Sequence, residues 1–197
     1  MRRYHSAMGR VESFSDGVIA VIITIMVLEI HPPETASIAA FRAGLPSLLL
    51  YALSFIVVAS MWVHHHGLLH SARRTNARFL WSNLNLLFWM SLIPYATSML
   101  GRFPHDSLPI AAYGSIFLIT SLSFWILQTV IANHNPEGTP EKETLTSART
   151  KSLSAVLAYI IAIVSAWYYQ PLSYAIFLFI ALSYLLPPLF AIQHSEP

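Results

Sequence analysis

Residues 10–30 read RVESFSDGVIAVIITIMVLEI, and this stretch decides the fold class of the chain. From Gly17 to Leu28 it carries no ionisable side chain. A helix needs about 20 mostly apolar residues to cross the hydrocarbon core of a bilayer. An Asp near the start of such a helix costs about 2.5–3.5 kcal/mol in lipid, unless it faces protein or water. The stretch therefore predicts a membrane-spanning helix over residues 12–31 in which Asp16 either faces an ion path or caps and pairs near the interface, with Arg10 or a histidine.

The rest of the chain has the composition of a membrane protein. Of its 197 residues, 55% are hydrophobic and only 10% are charged, and the mean hydropathy is +0.57. Soluble domains carry about 25% charged residues. Five more apolar segments follow the first, at residues 44–66, 79–101, 109–133, 151–169 and 172–192. We expect an all-α polytopic membrane protein, a single domain over 1–197 with six transmembrane helices, kinked in the third at Pro94 because proline lacks a backbone donor.

Positive charge is distributed unevenly between the predicted connectors. Nine of the 11 Lys and Arg residues lie on the side that holds both chain termini. They are Arg2, Arg3, Arg10, Arg73, Arg74, Arg78, Lys142, Arg149 and Lys151, against Arg42 and Arg102 on the other side. Since Lys and Arg accumulate in cytoplasmic loops, both termini are predicted to be cytoplasmic.

Several classes of function have little support in the sequence. A net charge of +2 without a long basic run argues against nucleic acid as a partner. The chain has no Cys, which excludes thiolate metal sites, and we find no nucleophile–base constellation and no phosphate-binding Gly loop. We therefore expect neither an enzyme nor a bound cofactor.

The start of the first helix resembles the signature Arg-x-x-x-Phe-Ser-Asp of the transmembrane protein 175 family of bacterial and lysosomal potassium channels. The matching residues are Arg10, Phe14, Ser15 and Asp16. The resemblance continues with Trp62 and His65 in the second segment and with Asn83 in the third. By motif it covers the first three helices, whereas the last three match only as hydrophobic segments.

This resemblance implies a six-helix subunit of a bacterial inner (plasma) membrane channel that assembles as a homotetramer and passes K⁺. The first helices would line a central pore that lacks a Thr-Val-Gly-Tyr-Gly filter. Carried onto this chain, the family's apolar constrictions fall on Val21, Ile25 and Leu28, and its pore hydroxyl on Thr24. Arg10, Trp62, His65 and Asn83 would form a buried polar network with Ser15 and Asp16.

Helical geometry agrees with part of this assignment. Residues at i, i+4 and i+7 share one helix face, so Val21, Ile25 and Leu28 form a stripe that could gate a pore by dewetting. The departure from the family is at Val21, where a bulkier Ile or Leu is typical, and this predicts a wider ring and leaves selectivity among K⁺, Na⁺ and protons open. Such a stripe is also common as a packing surface.

Two other functions remain open at this point. A secondary transporter or proton-coupled carrier also suits six helices with few buried charges, although we find neither paired interrupted helices nor repeat symmetry. A membrane metalloenzyme could use His64, His65, His66 and His70, since His66 and His70 lie at i and i+4. The same cluster could instead act as a pH sensor or lie at the membrane interface, and Glu29 could attract cations or simply be solvated.

Overall fold

The computed structural model describes the backbone of residues 2–72, 75–135 and 140–185, and the side chains within these ranges except those of 2–7, 140–144, 147 and 185. This part of the chain contains seven α-helices and no strand. They are α1 (Arg2–Leu28), α2 (Ile38–His70), α3 (Ala77–Ser91), α4 (Ile93–Arg102), α5 (Ser107–Ala132), α6 (Pro140–Ser165) and α7 (Gln170–Leu185).

Five spans in the described ranges are long and apolar enough to cross a membrane. They are Met8–Leu28, Ile38–His70, Ala77–Arg102, Ser107–Ala132 and Ala148–Ser165, and Gln170–Tyr184 is a shorter apolar helix. The predicted all-helical, multi-pass membrane fold is confirmed at this level. Residues 186–192 of the sixth predicted segment lie outside the described residues.

The third predicted segment is two helices in the structure. Helix α3 ends at Ser91, Leu92 adopts an αR conformation between the two helices, and Pro94 lies in the first turn of α4. The predicted interruption at Pro94 is confirmed, and its cause is the missing N–H that would have bonded one turn back.

Helix bounds differ most where a helix extends beyond its apolar stretch. Helix α1 begins at Arg2 instead of residue 12, and α6 begins at Pro140 instead of residue 151. Helix α2 begins at Ile38 instead of residue 44, because Ser37 caps it by accepting a hydrogen bond from the Ala40 N–H at 3.1 Å. These starts were wrong because hydropathy marks what crosses the lipid and not where a helix begins.

Helix α5 is the centre of the protomer, whereas α1 lies at its edge. Helix α5 packs against α3, α4, α6 and α7, and α1 packs against α2, α3 and α4. Helix α6 packs closely against α5 at Gly114, where an added Cβ would lie 2.8 Å from the Ile163 side-chain atom Cγ1. The membrane-spanning window of α1 is 22% buried, against 56% for that of α5. Most of the surface of α1 is therefore left for lipid or for other subunits.

Candidate functional site on the first helix

Helix α1 has one face that belongs to the core of the protomer. Ser15, Ile19, Ile22 and Met26 follow one another at helical spacing and are all 3% exposed or less. They lie against α2, α3 and α4 and fix the rotation of α1 about its own axis.

A second face of α1, about 120° around the helix from the buried face, carries the three apolar residues predicted for the pore. Val21, Ile25 and Leu28 are 53%, 42% and 76% exposed, and we call them the outer stripe. Phe14 and Gly17 continue this face toward the N-terminus and are also exposed. An open groove of about 650 Å³ follows Val21 and Ile25 along α1 and is bordered on its other side by α4. The protomer therefore leaves the outer stripe uncovered.

Thr24 lies beside the outer stripe with its hydroxyl turned onto the helix backbone. Its Oγ1 donates to the carbonyls of Ala20 and Val21, each at 3.0 Å. Because the hydroxyl proton is held by these carbonyls, the oxygen lone pairs point away from the helix. Thr24 can thus act as an oxygen ligand toward whatever lies next to this face.

The buried face of α1 is joined to α2 and α3 by a polar network. The Asn83 Nδ2 donates to Ser15 Oγ at 2.9 Å, and the Asn83 Oδ1 lies 2.8 Å from His65 Nε2. Since that amide oxygen can only accept, His65 must carry its proton on Nε2. Ser15, His65 and Asn83 are at most 2% exposed. The structure thus brings together three of the residues predicted for this network.

Asp16 makes a separate contact with α2 at the edge of the bundle. The indole Nε1 of Trp62 donates to Asp16 Oδ1 at 2.9 Å, with Trp62 40% exposed. In the described part of the chain the Asp16 carboxylate is held by neither Arg10 nor a histidine, the two partners considered from the sequence. An indole suits this place because it supplies a donor on an apolar ring.

Arg10 is not brought into the network. It is exposed and has no hydrogen bond or ion pair with any residue that the structure describes. The reason is helical geometry, since residues five apart are about 140° apart around a helix, which turns Arg10 away from Ser15. Arg10 instead continues the outer stripe, eleven residues before Val21.

The four histidines near the end of α2 have three different environments. His65 belongs to the buried network, and His64 Nδ1 lies 2.7 Å from its own helix carbonyl at Ser60, with its ring against Tyr184. His66 and His70 face Glu12 of α1, with Nδ1 atoms at 3.2 Å and 3.8 Å from Glu12 Oε1. The histidines therefore do not form one cluster.

Glu12 was missed at the sequence level. The available signal was spacing, because Glu12 and Asp16 are four residues apart on α1 and so are His66 and Trp62 on α2. Two antiparallel helices in contact along these faces bring the pairs together at successive turns.

At the far end of α1 an open cavity of about 360 Å³ separates the helix from α2 and α4. Glu29, His31 and Arg102 line it. Glu29 is exposed, and its carbonyl lies 3.0 Å from His31 Nδ1. The C-terminal end of α1 thus lies beside a cavity with charged side chains.

Comparison with known proteins is consistent with this geometry. The model of the TMEM175 family, described as endosomal/lysosomal potassium channel TMEM175, matches residues 10–94. A potassium channel from Chryseobacterium sp. is 38% identical over 179 residues, which are 91% of this chain and 93% of that protein. The chain belongs to the TMEM175 family. The resemblance drawn from three helices is confirmed, and similarity to this relative extends far beyond them.

A solved structure of the TMEM175 family has the same fold. The crystal structure of a lysosomal potassium-selective channel TMEM175 homolog from Chamaesiphon minutus aligns with a TM-score of 0.79 and 26% identity, covering 91% of this chain and 97% of that one. The human endosomal/lysosomal proton channel TMEM175 is 36% identical over 114 residues, which are 50% of this chain and 23% of that protein. Membership in the TMEM175 family and the multi-pass fold identify an ion channel family, not an enzyme family.

Proposed function

We propose that this TMEM175 family member is a potassium-permeable cation channel in which four copies of the chain surround an axial pore lined by α1. The observation that carries the proposal is the outer stripe. The protomer buries one face of α1 and leaves Val21, Ile25 and Leu28 exposed on the other. Relatives named as potassium channels support the choice of ion.

The surroundings of the outer stripe favour a water-filled path over a lipid contact. Exposed Arg10 lies on the line of the stripe eleven residues before Val21, exposed Glu29 directly follows Leu28, and Thr24 lies at the side of the stripe. Ionisable residues within membrane helices face water or protein or reach the interface, and Arg10 lies within the span Met8–Leu28. We therefore assign this face to the channel axis.

In the proposed pore, rings of Val21, Ile25 and Leu28 gate by dewetting, because narrow apolar constrictions expel water. Rings of Thr24 oxygens replace part of the hydration shell of the cation. The sequence Thr-Val-Gly-Tyr-Gly does not occur in the chain, so the proposal assigns ion selection to the side chains of α1 and not to a carbonyl filter of that kind.

Selectivity in this proposal depends on the width of the ring at Val21. Valine is smaller than Ile or Leu by one methylene, so four copies leave a wider opening. A wider opening admits partly hydrated ions and lowers discrimination between K⁺ and Na⁺. The human relative is named a proton channel, so proton flux is to be measured beside K⁺ and Na⁺ flux in the same liposomes.

The remaining features follow from the same proposal. The protein would lie in the inner (plasma) membrane with both termini in the cytoplasm. Arg73 and Arg74, which contribute to that assignment, lie outside the described residues. The channel would have no catalytic activity and no cofactor, with K⁺ as its permeant partner.

Flux from liposomes that contain the purified protein tests the proposal. We expect K⁺ to move down its gradient without a counter-substrate, and Val21→Ala to raise flux several-fold and reduce the preference for K⁺ over Na⁺. Val27→Ala is the matched control, because Val27 is 47% exposed on the same helix but about 120° away from Val21 around its axis. Flux that requires a counter-substrate would indicate a carrier, and equal effects of the two variants would contradict the pore assignment.

A further inference from the structure

Glu12 on α1 and His66 and His70 on α2 form a three-residue cluster at the end of the bundle where α1 begins its span. Each offers one ligand atom, and these atoms all lie within 4.8 Å of one another. The centroids of the His66 and His70 imidazole rings are 4.6 Å apart. Neither the proposed pore nor the buried network uses these side chains.

The cluster is held in place by the packing of α1 against α2. One turn further along the two helices, Trp62 donates to Asp16 at 2.9 Å, and its ring lies 6.0 Å from that of His66. His66 and His70 are one turn apart on α2, which directs both rings to the same side. The backbone thus presets the approach of all three side chains before any ligand binds.

The donor set is that of a zinc site with an open position. Two imidazoles and one carboxylate bind Zn²⁺ at about 2.0–2.2 Å, with water in the fourth position. At that radius, tetrahedral ligand atoms are about 3.3 Å apart. The distance of 3.2 Å between His66 Nδ1 and Glu12 Oε1 already fits this value. The other ligand-atom distances, which are 3.8 Å from His70 Nδ1 to Glu12 Oε1 and at most 4.8 Å within the cluster, have to shorten when the ion binds.

His70 has to exchange one contact in order to bind. Its Nδ1 lies 3.0 Å from the carbonyl of His66, and a metal would replace the shared proton there. The side chains of Glu12, His66 and His70 are 27%, 47% and 62% exposed, so an aqueous ion can reach all three. The exposed edge also leaves space for water ligands.

We propose that Glu12, His66 and His70 form a binding site for a divalent ion of the zinc class, with water completing the coordination. Such an ion cross-links α1 to α2 one turn from the Asp16–Trp62 contact. It would stabilise this arrangement of the two helices by mass action.

Calorimetry on the full-length protein in detergent, titrated with Zn²⁺, tests the site without reference to ion flux. We expect about one Zn²⁺ per chain, with affinity reduced about 100-fold or more in His66→Asn/His70→Asn and about tenfold or more in Glu12→Gln. His64→Asn is the matched control, since His64 is exposed on the same helix but faces Tyr184. It should bind Zn²⁺ like the wild type.

Two results would overturn the site: no saturable binding by the wild type, or equal losses in His64→Asn and in His66→Asn/His70→Asn. Co²⁺ absorption supplies a second measurement, because four- or five-coordinate Co²⁺ absorbs visible light far more strongly than hexaaqua Co²⁺. The strong band should appear in the wild type and in His64→Asn and be absent in the double variant. A double variant that elutes as a folded species yet retains the band would contradict the proposal.

A consequence for transport rests on the proposed function. If α1 lines the pore, fixing α1 to α2 restricts the movement of α1 that widens the pore at the outer stripe. Zn²⁺ should therefore lower K⁺ flux several-fold in the wild type but not in His66→Asn/His70→Asn. Calorimetric binding without any change in flux would support the metal site and overturn its coupling to the pore. Absence of K⁺ flux in every variant would contradict the channel and leave the calorimetric result standing.

Discussion

Asn83 is the residue on which the attachment of α1 to its neighbours depends most directly. Its amide oxygen accepts from His65 and its NH₂ donates to Ser15, and all three side chains are buried. Removing one partner of a buried hydrogen bond leaves the other with its full cost of desolvation. The two bonds at Asn83 share a single side chain, so one substitution breaks both.

We expect Asn83→Ala to lower the stability of the protein in detergent by about 1–3 kcal/mol, since it leaves buried polar groups of Ser15 and His65 unpaired. Thermal unfolding followed by size-exclusion chromatography measures this loss. Ser82→Ala is the control, because Ser82 is half-buried on the same helix and its hydroxyl donates only to its own helix carbonyl at Arg78. Equal melting temperatures for the two variants would show that the network does not hold α1.

The contacts of single residues were partly predictable from the sequence. Ser15, His65 and Asn83 do meet, and the family signature is what indicated it, because no local pattern relates residues so far apart. The sequence could not place Arg10 on the exposed side, since that required knowing which face of α1 packs against α2. Because the rotation of α1 about its axis could not be read from the sequence, the contact of Glu12 with His66 and His70 could not be predicted either.

Among the glycines that the structure describes, Gly114 on α5 leaves the least space for a side chain. A methyl group there would lie 2.8 Å from Ile163 Cγ1 and 3.4 Å from the Phe177 ring. Small residues allow helices to approach closely in a membrane, where packing replaces the hydrophobic effect as the driving force. The absence of a side chain at residue 114 is therefore part of the packing of α5.

Gly114→Ala should destabilise the protein by about 1–3 kcal/mol, because Ile163 and Phe177 must shift to make room for the methyl group. This is the usual cost of an extra methyl group in a well-packed core. Gly67→Ala provides the comparison within a helix interior: nothing lies within 4 Å of its added Cβ. Alanine there should be neutral or stabilising by up to about 1 kcal/mol through helix propensity. The melting temperatures of the two variants are compared with that of the wild type. An unchanged melting temperature for Gly114→Ala together with a lowered one for Gly67→Ala would contradict this packing.

The number and approximate position of the apolar helices were more predictable from the sequence than the residues at which the helices begin and end. Apolar length identified the membrane spans, and Pro94 identified the break between α3 and α4, because both depend on properties of a few neighbouring residues. The extension of α1 back to Arg2 and of α6 back to Pro140 lies in polar sequence. Polar helical turns outside the lipid have no apolar signal, so hydropathy could not find them.

For the whole molecule, the decisive question is what covers the outer stripe. Burial within the protomer is lowest in α1 among its long spans, at 22% of the window. The sequence alone could predict that Val21, Ile25 and Leu28 share a face but not that the protomer leaves this face open. That distinction depends on the packing of α2, α3 and α4 against the other side of α1.

Because the chain has no cysteine, a single introduced thiol reports on subunit contacts without background. In a tetramer with α1 around the axis, Val21→Cys places four thiols on facing helices, and a short bis-maleimide should join chains into covalent dimers. Leu157→Cys is the control, since Leu157 is 60% exposed on α6, which packs against α5 and α7, whereas α1 packs against α2, α3 and α4. It should remain monomeric on denaturing gels.

The native mass completes this test, because cross-linking alone does not count subunits. Light scattering should give a protein mass of four times 22.1 kDa for both cysteine variants, which shows that Leu157→Cys fails to cross-link for reasons of geometry and not of assembly. A mass of one chain, or dimers formed through residue 157 and not through residue 21, would place the outer stripe in lipid. The apolar rings require four copies of that stripe to face one another, so either result would remove the physical basis of the gate.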